Sequence, residues 1–224
     1  MPPPSDTVEA DFISEPPPLP VTDCGLKTVD HVAMRLGVEQ LDTWVLFTSA
    51  VLGLTPAAGV QIAEPFGLIR SRGVSNDSRR VRMVLNAAIS RVGVRGGGGV
   101  PPTPPSGDVE YIALGCDDIF QAVGRLRANG VAFVSLSRNY YDDLVSRVSL
   151  TPSVVDRMRG LDIAYDNAGG GDYFHAYTDA FEGRFHFQIV QRQHYDGYGA
   201  ANAPARAASV EQTRHVQEWF NSVL

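Results

Sequence analysis

Cysteine is scarce in this chain: Cys24 and Cys116 are the only two among 224 residues. Two distant thiols make no disulfide framework, and two reduced cysteines in a cytoplasm are expected. An excess of positive charge is lacking too. The net charge of -6 and pI near 5.3 argue against nucleic acid as a partner, because phosphate binding needs a basic surface. No apolar run approaches the roughly 20 residues of a spanning helix. The N-terminus has no basic start and apolar core of a signal peptide, so no membrane partner is expected. HxH and HExxH spacings are absent. The glycine run at 96–99 has no GK[ST] after it and no strand-to-helix setting, which excludes a phosphate loop.

What is present reads as a soluble globular chain, 44% hydrophobic and 20% charged, long enough for one large domain or two small modules. Residues 1–24 hold PPP twice among acidic residues and predict a disordered tail. Domain 25–224 follows. Leu26–Leu36 reads as a strand, 38–54 as an amphipathic helix, and Val60–Ile62, Gly67–Val74 and Val81–Asn86 as three short strands. The four consecutive glycines and the four prolines within 92–107 predict a loop. Then the pattern starts again. VEYIA at 109–113 mirrors VDHVA at 29–33 at an offset of 80 (111 minus 31). A helix is expected over 117–129, capped by Asp117 or Asp118 and by Gly130. A strand at 131–136, helices at 140–147 and 152–159 and a strand at 161–165 should follow, with a last helix at 209–223. The fold class is therefore α+β, two β-α-β-β-β modules (26–90 and 108–192) that cannot each bury an open face alone and form one open barrel.

Asp172–Arg192 reads as a hairpin turning near Glu182-Gly183. Side chains two apart share a face, so His186 and Gln188 point the same way, and closure around Phe181 brings His175 across from them. Two imidazoles and an amide on a buried face need partners or a ligand.

The motifs VDHVAM (29–34), GLIRSRG (67–73), VLNA (84–87), VEYIALGCDDIF (109–120), NYYDDL (139–144) and FHFQIVQR (185–192) resemble the vicinal oxygen chelate fold. More closely, they resemble the C-terminal, iron-binding half of 4-hydroxyphenylpyruvate dioxygenases. HAYTDAFEGRF (175–185) and YDGYGAANAP (195–204) resemble the dioxygenase-like domain fused behind bacterial 3-dehydroshikimate dehydratases. The resemblance implies a facial triad of two histidines and a glutamate holding iron(II), with sites open for a 2-oxo acid and oxygen. Those positions are His31, Tyr111 and Gln188 here, so two of three ligands depart from the pattern. Ser71, Asn86 and His175 take the family's substrate-facing positions, and His186 faces the same interior.

Gln188 offers a neutral carbonyl, and Tyr111 would have to ionise from a pKa of about 10 to act as phenolate. The triad is expected to be degenerate, leaving iron(II), another divalent ion or none. His31, His175 and His186 form an alternative three-nitrogen set for zinc. Each residue also has a plain structural reading: Tyr111 as a core aromatic, His186 as filler, Gln188 as an amide bonded to Tyr111 or His31, Ser71 and Asn86 as backbone partners. Three functions follow. One is a binding domain for an aromatic or shikimate-type carboxylate or a dehydratase partner. Another is an active metal-dependent dioxygenase of a 2-oxo acid. The third is an oligomerisation module working through the tail and last helix.

Overall fold

β1 (Leu26–Leu36) is the axis of the sheet in the computed structural model, which describes residues 22–64, 67–90, 107–181 and 185–223, without the side chains of 64, 90 and 214–223. The expected loop at 92–107, but for Gly107, and most of the tail at 1–24 lie outside those residues, as does the Glu182-Gly183 turn.

β1 runs parallel to β5 (Arg82–Ser90) and antiparallel to β6 (Asp108–Cys116). Between β1 and β5 the chain makes α1 (Leu41–Ala50), a two-residue β2 (Thr55–Pro56), β3 (Val60–Glu64) and β4 (Gly67–Ser75). After β6 come α2 (Ile119–Ala128), α3 (Arg138–Arg147), α4 (Pro152–Leu161), β7 (Ala164–Ala168), β8 (Gly171–Tyr177), β9 (His186–Gln193) and α5 (Ala203–Val223). The sheet order is β2-β4-β5-β1-β6-β9-β8-β7, with β3 also on β4. In each half the first strand lies parallel to the last, and the others continue outward by antiparallel pairs. The two first strands meet at the centre. This is the α+β vicinal oxygen chelate architecture, a mixed sheet curled into an open half-barrel with helices outside.

Local chemistry accounts for the element ends. Asp118 caps α2, accepting from Gln121 N at 3.0 Å, and Gly130 follows it at φ +90°. Asp162 ends α4 in the left-handed region, and its carboxylate accepts from Leu136 N and Arg127.

Four expectations are corrected. Residues 131–136 form no strand: Phe133 bridges Thr178 singly, and Val134 N and Ala132 O pair with Tyr177 and Asp179 instead. Their apolar side chains reflect burial beside α2 and α4, not a ladder. α1 is shorter than 38–54, because a turn stapled from Gly37 N to Gln40 Oε1 precedes it and Gly53 (φ +66°) follows. α5 starts six residues before 209, since Pro204 at its second position needs no amide donor there. β7 begins after the α4 cap, so its strand lies at 164–168 and not 161–165.

Candidate functional site

Two irregularities shape the interior. Along the β1–β6 seam, the register steps over Asp30 between Val29 and His31, and over Glu110 between Tyr111 and Val109. Each is one extra residue in its strand, and the two are related by the same 80-residue offset (110 minus 30). A regular strand would send Asp30 and His31 to opposite faces. The bulge instead brings the Asp30 carboxylate to Nδ1 of His31, 2.7 Å away, and to the guanidinium groups of Arg192 (2.7 and 3.0 Å) and Arg82 (3.0 Å). Burial alone would raise the Asp30 pKa, but the hydrogen bonds from His31 and Arg192 outweigh it and hold the carboxyl well below its usual range. Glu110, the counterpart, accepts from Arg35 and from Asn86 Nδ2 at 3.0 Å.

The three triad positions come together on this face. His31 donates from Nδ1 to Asp30, so its Nε2 carries the lone pair, 3.4 Å from the Tyr111 hydroxyl. Ala113 of β6 pairs with both His31 and Gln188, which places the amide beside them. Burial pushes the Tyr111 phenol well above its ordinary value, so it stays protonated. Burial likewise lowers His31, against the pull of Asp30, and takes His175 to about 3 and His186 to about 2. All three imidazoles are neutral at pH 7.

His175 decides how Gln188 is turned. The Gln188 amide lies 2.8 Å from His175 Nδ1, and the Asn202 amide lies 2.8 Å from Nε2. A neutral imidazole donates at one nitrogen and accepts at the other. Asn202 must present its NH2, because the same group donates to Tyr165 O and its carbonyl accepts from Tyr140. Nδ1 of His175 therefore carries the proton, and the carbonyl of Gln188 accepts it. That assignment exchanges the oxygen and nitrogen of the Gln188 amide, whose inward end, otherwise Oε1, is buried without a partner among the described residues. Gln188 bonds His175, not Tyr111 or His31 as expected. His186 is similar: Arg206 approaches Nδ1 at 3.4 Å, so Nε2 bears the proton, buried and unpartnered among the described residues. The Tyr173 hydroxyl is a third such group.

The segment after β9 closes over this face. Arg192 donates to the carbonyls of Tyr195 and Gly197 and lies against the rings of Tyr173, Tyr195 and Tyr198. Tyr195 stacks on Tyr173, and Tyr198 meets His31 edge-on at 5.0 Å. Gly199 (φ +67°) sits so close that a Cβ would stand 2.9 Å from Tyr173 and 3.0 Å from His175. Ser71 and Asn86 pair with each other across β4 and β5, and the Asn86 amide donates to Glu110. Sequence reasoning gave no role to Asp30, Tyr198 or Asn202, and read Arg192 as a surface or ion-paired residue, which its pairing with Asp30 bears out. Asp30 stood inside VDHVAM, and Tyr198 and Asn202 stood inside YDGYGAANAP, but none showed what it touches.

Residues 28–157 match the Glyoxalase/Bleomycin resistance protein/Dioxygenase superfamily. This chain belongs to that superfamily. The dioxygenase-type domain is 40% identical over 85% of its length to the 3-dehydroshikimate dehydratase of Pseudomonas aeruginosa, covering 30% of that protein. It is 27% identical, over 84% of its length, to the 4-hydroxyphenylpyruvate dioxygenase of the same organism, covering 53%. Among solved structures it is similar to a xylose isomerase-like TIM barrel/4-hydroxyphenylpyruvate dioxygenase fusion protein, with TM-score 0.71 and 35% identity, over 85% of this chain and 30% of that one. A mutant of 4-hydroxymandelate synthase from Streptomyces coelicolor shares the fold, with TM-score 0.73 and 22% identity over 84% of this chain and 55% of that one. The domain thus spans about a third of its dehydratase relatives and about half of its dioxygenase relatives. Its relation is to the dioxygenase-like part of such fusions.

The donor set does not fit the iron(II) that the dioxygenase resemblance implies. His31 Nε2 is a suitable ligand, but Tyr111 keeps its proton and Gln188 turns an NH2 inward. The zinc alternative fares no better: both nitrogens of His175 are engaged by amides, and Nε2 of His186 is protonated. Among the described residues no group of three His, Cys, Asp or Glu side chains could hold a metal.

Proposed function

We propose that this domain binds a small aromatic or shikimate-type carboxylate without a metal. The observation that carries the reading is the set of buried polar groups without partners on the former metal face: the inward end of the Gln188 amide, His186 Nε2 and the Tyr173 hydroxyl. Buried donors of this kind call for an acceptor, and each left unmade costs about 1–3 kcal/mol. A carboxylate supplies acceptor oxygens of the right kind. In the iron enzymes' triad a negative glutamate and a cation meet; here the same place offers donors. The ligand enters when the 195–202 segment swings aside, because Tyr198 and Asn202 lie on His31 and His175. The kinship with 3-dehydroshikimate dehydratases supports a shikimate-type acid and an association with dehydratase, in one polypeptide or as a partner chain.

Calorimetric titration of the purified chain with 3-dehydroshikimate and 4-hydroxyphenylpyruvate, in the presence of a chelator, tests this. Binding of at least one acid is expected, weakened about tenfold by Gln188→Leu, the loss of one hydrogen bond to a charged group. Binding that requires added iron(II), or oxygen uptake by the wild-type chain with a 2-oxo acid, would overturn the reading in favour of an active dioxygenase. In the Tyr111→His, Gln188→Glu double variant iron(II) binding should appear where the wild type has none up to roughly millimolar metal, since imidazole and carboxylate are ligands iron takes and phenol and amide NH2 are not.

A further inference from the structure

Arg206, the fourth residue of α5, brings a cation to the ligand face. Its guanidinium lies 5.0 Å from the centre of the Tyr177 ring, and its Nη2 approaches His186 Nδ1 at 3.4 Å. Tyr177 is the neighbour of Gln188 across β8 and β9, and His186 precedes Gln188 by two residues on the same strand face. Arg206 therefore stands at the corner where the inward end of the Gln188 amide and His186 Nε2 are buried without partners.

Other guanidiniums bordering this face each reach a carboxylate. Arg35 pairs with Glu110, and Arg82 and Arg192 share Asp30. Arg206 has five N–H donors to place. Among the described residues it meets no carboxylate. Its one acceptor there is a neutral imidazole, and its Nε is buried with none. Arg82, Arg127 and Arg159 also leave Nε unpartnered, but each spends a terminal nitrogen on a carboxylate. The ring of Tyr177 offsets part of the cost of half-burying the Arg206 cation, and an anion would offset more. After burial itself, the charge of Arg206 is the largest influence keeping His186 neutral. The planar fork of a guanidinium matches the two oxygens of a carboxylate.

We propose that Arg206 recognises the carboxylate of the ligand, while Gln188 and His186 donate to the same group. This assignment rests on the metal-free binding reading. It adds which end of the acid lies against α5, and it makes the negative charge of the ligand a condition of binding.

The test is calorimetric titration of the full chain, with a chelator present, using 3-dehydroshikimate, 4-hydroxyphenylpyruvate and the methyl ester of each. Wild-type chain should take the acid at least about tenfold more tightly than its ester, because hydrogen bonds to a charged group are the strong ones. Arg206→Met should weaken the acid by about 10–100-fold and leave the ester unchanged. Arg206→Lys, which keeps the charge and loses the fork, should recover part of the affinity. Equal binding of acid and ester by the wild type overturns the assignment without any variant. So does an Arg206→Met chain that binds the acid as the wild type does, or one that loses acid and ester alike, the mark of an arginine that only braces α5 on Tyr177. Each of these leaves the binding reading standing. A wild-type chain that takes neither acid overturns both.

Discussion

Lowering the pH should unfold this domain by a route its interior lays out. His175 and His186 are buried and neutral, with pKa values near 3 and 2, and burial is the cause of both shifts. In the unfolded chain a histidine titrates near 6.5. Above that value neither state takes up a proton, and stability does not depend on these groups. Below it the unfolded chain binds protons that the folded one refuses, so stability falls as pH falls, down to the folded values. At pH 5 each histidine costs about 2 kcal/mol by this linkage, so the pair removes about 4 kcal/mol of a typical total of about 5–15 kcal/mol. His31, also lowered by burial, adds to the loss. Asp30 contributes in the same direction, but only as the pH approaches the ordinary carboxylate range, so pH 5 isolates the histidines. Urea unfolding at pH 7 and pH 5, at constant ionic strength, measures the difference. His186→Phe provides the internal control. It keeps a ring against Tyr111, 5.0 Å away, and removes one titrating group, so its loss between pH 7 and pH 5 should be about 2 kcal/mol smaller than that of the wild type. Equal wild-type stability at the two pH values, or the same loss in the variant, would refute the reasoning.

Two further outcomes follow from the closing segment. Arg192→Met should cost about 3 kcal/mol in urea unfolding, because it leaves the buried Asp30 carboxylate short of its main cation. Gly199→Ala should lower stability by about 1–3 kcal/mol and weaken the near-UV tyrosine signal, since the new methyl group meets Tyr173 and His175 at a positive φ.

How much of this was legible beforehand differs by level. The repeat at an offset of 80, the α+β class and the two modules follow from periodicity, because a side chain's face is set by the backbone two or four residues away. The gathering of His175, His186 and Gln188 on one face was legible for the same reason, and the resemblance to the dioxygenases added His31 and Tyr111 to it. The false strand at 131–136 marks the limit. Val131, Phe133 and Val134 carry a strand's composition, yet that composition records only burial, and ladder partners are a matter of the whole sheet.

The sequence by itself determined the fold, the kinship and the loss of two ligand types, since residue identity at a motif position is a local fact. Tertiary structure alone decided the chemistry of the interior. Asp30 reaches His31 through a bulge that only strand pairing reveals. The turning of the Gln188 amide depends on Asn202, whose NH2 takes the accepting nitrogen of His175 and so leaves the proton on the nitrogen that faces Gln188. Hydrogen-bond direction in a buried network is set by all its members at once, and no stretch of sequence contains them all.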